Sequence, residues 1–215
     1  MFKRTCFISL ALFTVFALCF AAQSTAKKEA KKTPPLPMLK HLEKLIPQSK
    51  FYRFEKDDEG WVCGSVYETI GGFGLSLTHN TDPKYCYNNS KGSLKLDCDF
   101  TKELQSYAVA SIKLPEPQNL YYHVITAKVY IPDALATTTN PVTLEIRTGI
   151  NKENIALHMY AVEAVKPGWY DLVYDLTDPT EDYHNKVDEI SIAIYSKDGN
   201  KDAYKGPVYI DDVAW

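Results

Sequence analysis

The chain has 215 residues, with 24 Lys and Arg against 27 Asp and Glu and a formal net charge of −3. Setting aside an apolar leader of 26 residues, the remainder is long enough for one ordinary domain with a substantial core and too short for two large ones. Residues 27–50 hold seven Lys and two Glu, whereas 51–215 hold 15 basic and 25 acidic residues together with all 15 Tyr and all three Trp. That division argues against a nucleic-acid partner and excludes disorder in the aromatic-rich part.

Met1 to Arg4 form a short positive start, Cys6 to Ala22 carry no charge, and Ser24-Thr25-Ala26 supplies small residues for cleavage, so 1–26 is expected to be a signal peptide. The apolar run is short for a membrane span, which predicts a secreted or periplasmic protein with no stable membrane insertion after cleavage. Loss of Cys6 and Cys19 leaves Cys63, Cys86 and Cys98. An oxidising compartment then permits at most one internal disulfide, with three pairings open, and a reducing one would leave three buried thiols. Residues 27–50 form a basic arm whose Pro34-Pro35-Leu36-Pro37 cluster reads as a stiff spacer. Within it, Leu39, Leu42, Leu45 and Ile46 recur at helical spacing and predict one short helix, which either docks on the domain or offers a stripe to a partner.

From Phe51 onward, short runs rich in β-branched and aromatic residues alternate with Gly, Pro, Asn and Asp clusters. Strands are predicted near 51–55, 60–68, 73–79, 92–99, 106–113, 122–131, 142–148, 155–163, 169–175, 188–196 and 207–214. Alternation is clearest for Ala127, Val129 and Ile131 against Thr126, Lys128 and Tyr130, for Leu144 and Ile146 against Glu145 and Arg147, and for Ile190, Ile192 and Ile194 against Ser191, Ala193 and Tyr195. Such strands bury one face and leave the other to water. The expected fold is all-β: a two-sheet antiparallel jelly-roll sandwich over 51–215, with the prolines at 115, 117, 132, 141, 167, 179 and 207 marking strand ends.

No catalytic constellation emerges. His41, His79, His123, His158 and His184 are scattered, with no His-x-x-x-His or Cys-x-x-Cys spacing for a transition metal. Gly71-Gly72-Phe73-Gly74 lacks the Lys-Ser/Thr ending of a phosphate cradle and reads as a hairpin turn, and no Gly-x-Ser-x-Gly elbow is present. Among 25 carboxylates, close pairs arise by chance, so an enzyme is not expected.

Three stretches carry a resemblance: Phe54-Glu55-Lys56-Asp57-Asp58-Glu59-Gly60-Trp61, Gly168-Trp169-Tyr170-Asp171-Leu172-Val173-Tyr174-Asp175-Leu176, and Tyr204-Lys205-Gly206-Pro207-Val208-Tyr209-Ile210-Asp211-Asp212-Val213. They resemble the galactose-binding-like jelly-roll carbohydrate-binding modules attached to bacterial mannanases and glycanases. The resemblance implies a structural Ca²⁺ where the first and last strands meet, with Glu55, Asp57, Asp211 and Asp212 as candidate ligands. It also implies a glycan held on the concave face of one sheet or in the loops at its rim. Strand alternation offers Lys128, Tyr130, Glu145, Arg147, His158, Tyr160 and Tyr195 as outward residues, with Tyr85 and Tyr87 on a loop; Arg147, Glu145 and Tyr160 are the first choices. The expectation is a secreted, non-catalytic protein of β-mannan or β-glucan type, whose partners are a polysaccharide and either glycan-active enzymes or envelope proteins. The alternative is a structural envelope or flagellar-sheath-like protein built on the same sandwich.

Overall fold

Alternation decides how each strand faces, and it is cleanest at Val124–Ile131, where Ile125, Ala127, Val129 and Ile131 are fully buried between half-buried neighbours. The structure is a computed structural model describing residues 47–64, 74–100, 106–135, 141–150, 158–177, 182–196 and 204–215. The predicted leader, the arm as far as residue 46 with its short helix, and the turn at 71–73 lie outside the described residues.

Among the described residues, eleven strands correspond in order to the eleven predicted runs: β1 (Phe51–Tyr52), β2 (Val62–Cys63), β3 (Gly74–Asn80), β4 (Ser93–Asp99), β5 (Ser106–Gln118), β6 (Val124–Ile131), β7 (Val142–Gly149), β8 (His158–Ala164), β9 (Gly168–Asp175), β10 (Val187–Ser196) and β11 (Lys205–Ala214). Single turns of 3₁₀ helix occur at Pro83–Tyr85, Tyr87–Asn89 and Asp182–Lys186. One sheet runs β3-β4-β11-β6-β9, with β1 added beside the end of β11; the other runs β2-β5-β10-β7-β8. Every described pairing is antiparallel.

The inner faces meet in one core. Leu94, Leu96, Val129, Leu172, Val208 and Ile210 from the first sheet pack with Ala110, Leu144, Ile146, Ile190, Ile192 and Ile194 from the second. Each fully buried Leu or Ile stabilises the fold by roughly 1.5–3 kcal/mol relative to exposure. At one end of the sandwich Trp215 stacks on Tyr52 with ring centroids 5.0 Å apart, and Trp61 meets Tyr52 edge-on at 5.8 Å. Hydrogen bonds from Lys50 N to Trp215 O (3.0 Å) and from Trp215 N to Lys50 O (3.1 Å) join the start of the domain to its last residue.

Three details depart from the expected strand boundaries. Pro115 and Pro117 lie inside β5, in a stretch where pairing with β10 lapses between Lys113 and Gln118, so no ladder bond is lost. Pro207 also sits within β11, opposite Asp97 on β4, and pairing to β6 starts only at Tyr209, so its missing N–H costs no bond. Phe54 takes φ +53°, which ends β1 at Tyr52 rather than at residue 55. Cys63, Cys86 and Cys98 are not joined by a disulfide; Cys98 is fully buried, and that burial pushes its thiol pKa well up.

A bulge in β11 sets the facing of the two consecutive aspartates. Asp211 pairs with Lys128 and Ala214 with Thr126, so three steps along β11 match two along β6, and Asp212 adopts φ +47°. The extra residue lets Asp211 and Ala214 both face outward while Val213 and Trp215 turn into the core.

Candidate functional site

Residues paired across neighbouring strands point to the same side of a sheet. On the outer face of the five-stranded sheet, register sets Tyr107, Tyr195 and Thr143 in one row, Val109, Ala193 and Glu145 in the next, and Ser111, Ser191 and Arg147 in a third. Glu145 and Arg147, two residues apart on β7, share this face and pair: Arg147 Nε donates to Glu145 Oε2 at 2.7 Å and Nη2 lies 2.5 Å from the same oxygen. The guanidinium stands over the Tyr107 ring, 5.4 Å from its centroid. Arg147 and Glu145 are only 8% and 6% exposed, so the charge pair is recessed rather than laid on the surface.

Between Ser111 and Arg147 lies Ser191, fully buried, whose Oγ has no hydrogen-bond partner among the described residues; Ser111 Oγ instead donates to Gly64 O at 2.7 Å. A buried hydroxyl left unpaired costs about 1–3 kcal/mol. The three rows thus bring a buried Tyr107, a half-buried Tyr195, a recessed charge pair and the Ser191 hydroxyl within a few residues of each other.

The remaining candidates fall elsewhere. Tyr160 pairs with Ile146 and His158 with Thr148, so both take register positions on the side of the sheet that Ile146 uses for the core. The expected grouping of Tyr160 and His158 with Arg147 is therefore corrected: the β8 positions in register with Glu145 and Arg147 are Ala161 and Met159. Tyr160 is 37% exposed because β8 is the edge strand.

Lys128 and Tyr130 lie on the outer face of the other sheet, where Tyr85 and Tyr87 join them. Tyr85 stacks on Tyr209 with centroids 4.0 Å and planes 4° apart, and Tyr87 meets Trp169 edge-on at 5.3 Å. Tyr130 touches Tyr85 (5.4 Å) and Trp169 (5.4 Å). Lys84 Nζ stands 4.8 Å over the Tyr85 ring and Lys128 Nζ 4.9 Å over that of Tyr87, while Lys128 also pairs with Asp171 at 2.6 Å. These rings are occupied by one another and by cations; what they do is pin the 82–90 segment to the sheet.

That segment builds one wall of a polar pocket lined by Arg53, Glu55, Tyr87, Asn88, Asn89, Ser90 and Asp212. The pocket thus brings two of the candidate calcium ligands, Glu55 and Asp212, beside Asn88, Asn89 and Ser90, and Arg53 Nε lies 3.8 Å from Asp212 Oδ1. Oxygen donors around two carboxylates fit a hard divalent cation. The other two candidates are engaged elsewhere. Asp57 Oδ1 accepts from Glu59 N at 2.9 Å within its own turn. Asp211 is fully buried and accepts from Tyr87 N (2.7 Å), Ser90 Oγ (2.5 Å) and Asp212 N (2.7 Å). Burial raises the Asp211 carboxyl above its ordinary pKa, against the pull of those three donors.

Tyr107 is the site residue that the sequence pattern does not single out. Its alternation, Tyr107-Val109-Ser111 against Ala108-Ala110-Ile112, is present in the chain, but alanines on the core side give little polarity contrast.

The fold is a two-sheet antiparallel β-sandwich of jelly-roll type. Two solved structures share it. CBM27-1 of Caldicellulosiruptor saccharolyticus, in complex with mannohexaose, superposes with a TM-score of 0.58 over 79% of this chain and 96% of that one, at 14% identity. CBM28, a module specific for non-crystalline cellulose, superposes with a TM-score of 0.56 over 79% and 94%, at 11% identity. No protein-family model matches the chain, and no curated protein matches it in sequence.

Proposed function

We propose that this chain is a non-catalytic polysaccharide-binding protein that takes a β-mannan or β-glucan on the outer face of the five-stranded sheet. The observation that carries the reading is the grouping of the Glu145–Arg147 pair with Tyr107, Tyr195 and a Ser191 Oγ that has no hydrogen-bond partner among the described residues, all on one face of the sheet. A sugar ring presents an apolar C–H face and a rim of hydroxyls, which is the complement of a tyrosine beside fixed polar groups. That two structural neighbours of the same fold carry the names of cellulose- and mannan-type ligands supports the choice of glycan. The export leader expected at 1–26 supports a site of action outside the cytoplasm, and among the described residues no helix is long and apolar enough to cross a membrane.

A structural envelope role is the second reading. It is favoured by the mutual satisfaction and deep recess of Glu145 and Arg147, which need no ligand to be paired. Affinity electrophoresis through gels containing soluble β-mannan or mixed-linkage β-glucan separates the two. Retardation without release of reducing ends is expected; migration unchanged by any polysaccharide would remove the binding reading and leave the structural one, and release of reducing ends would make the protein an enzyme.

We also propose a structural Ca²⁺ in the polar pocket, with Glu55 and Asp212 as its carboxylate ligands and oxygens of the Asn88–Ser90 turn completing the shell. The ion would draw the opening segment, the turn and the final strand together, and binding only the folded chain it would add its binding energy to stability.

A further inference from the structure

We infer that Asp211 is a positioning residue, a clasp that presents the 87–90 turn to the cation pocket, so that cation uptake and the packing of Tyr87 on Trp169 are coupled; this rests on the calcium reading above. Asp211 faces outward from its sheet, opposite Lys128, yet is fully buried, because the turn lies over it. Its carboxylate receives a donor from each end of that turn, Tyr87 N and Ser90 Oγ. The Ser90 hydroxyl is 2.5 Å from Asp211 Oδ2 and 3.0 Å from Gly92 O, and its single proton goes to the closer, charged acceptor.

Between those two anchors Asn88 and Asn89 hold φ of +48° and +62°, a left-handed conformation that Asn tolerates but does not prefer. The clasp holds them there. The remaining oxygen, Oδ1, accepts from Asp212 N and so fixes the bulge that turns Asp212 toward the pocket. One buried side chain therefore bonds to residues of both walls. The same turn carries Tyr87, whose ring rests against Trp169. Trp61 and Trp215 are 2% and 1% exposed, leaving Trp169 as the half-buried tryptophan able to report the turn to a solvent quencher.

The test is calorimetric titration of the protein with CaCl₂, paired with acrylamide quenching of the emission that Trp169→Phe removes. Asp211→Asn keeps the volume and both proposed carboxylate ligands, but loses the charge and an acceptor. It should weaken calcium about tenfold or more, on the scale of a lost charge-assisted hydrogen bond. In chelator it should also open Trp169 to acrylamide. Calcium bound as tightly as by the parent protein would overturn the clasp. If the parent protein itself binds no calcium, the calcium reading fails, and the clasp then stands on increased Trp169 quenching in Asp211→Asn or falls on unchanged quenching. Should Asp211→Asn not fold, Ser90→Ala removes one donor alone, and unchanged quenching of Trp169 in that variant overturns the clasp.

Discussion

At the scale of single residues, the recessed pair on β7 is the most consequential feature. Arg147 and Glu145 are held close to one another with less than a tenth of either exposed, so removing one leaves the other charged and uncompensated. Arg147→Ala is expected to cost about 3–5 kcal/mol in urea unfolding, whereas Arg147→Met combined with Glu145→Leu should lie within about 1–2 kcal/mol of the parent protein. Equal losses in single and double variants would show that packing, not charge, dominates this site. That Glu145 and Arg147 share a side opposite Leu144 and Ile146 is legible in the sequence, because a period of two is written directly into β7. Their company is not. Tyr107 and Ser191 reach them only through the pairing of β5, β10 and β7, and register between distant strands leaves no mark in any one of them. Tyr160 departs from its expected face for a related reason: the face of an edge strand is set by its neighbour, and β8 takes its parity from Ile146.

At the scale of elements, strands are legible wherever apolar β-branched runs end at Gly, Pro or Asn, and all eleven runs have their counterparts. What the runs do not disclose is where pairing stops. β1 ends early because Phe54 turns to positive φ, carrying its carbonyl to within 2.6 Å of His79 Nε2. Gly92 lies beneath that contact, and a Cβ there would collide with both Phe54 O and His79 Nε2. Phe54 O is backbone and cannot swing aside. Gly92→Ala should therefore destabilise the protein by about 1–3 kcal/mol through overpacking, measurable as a lowered denaturant midpoint at unchanged m. A midpoint equal to that of the parent would mean that the loop before β4 yields freely. The polar pocket is legible only in part: Glu55 and Asp212 are expected from the opening and closing stretches, whereas the wall from Asn88 to Ser90 depends on a turn whose left-handed residues no alternation pattern encodes.

At the scale of the whole molecule, stability should depend on pH through His123. It is buried where the loop after β5 crosses toward the end of β9, with Leu176 N donating to its carbonyl at 3.0 Å, and its Nδ1 has no hydrogen-bond partner among the described residues. Burial holds the imidazole below its ordinary pKa. The unfolded chain then takes up a proton that the folded chain refuses, so this contribution is whole above about pH 6.5 and is lost as pH falls below it. Thermal melting from about pH 7.5 down to about 5.5 should decline, and His123→Phe should flatten the decline; an equal slope in the variant would assign the dependence to other groups. Asp211 and Glu59, both raised by burial, act in the opposite sense, since the folded state keeps their protons longer as pH rises. The central claim is that the outer face of the five-stranded sheet receives a glycan, and calorimetric titration of soluble β-mannan and β-glucan into the protein and two tyrosine variants tests it most directly. The account predicts binding by the parent protein, a loss on the order of 1–3 kcal/mol in Tyr195→Ala with the fold intact, and undiminished affinity in Tyr160→Ala. Absence of binding by the parent, or weakening by Tyr160→Ala while Tyr195→Ala binds normally, would contradict it.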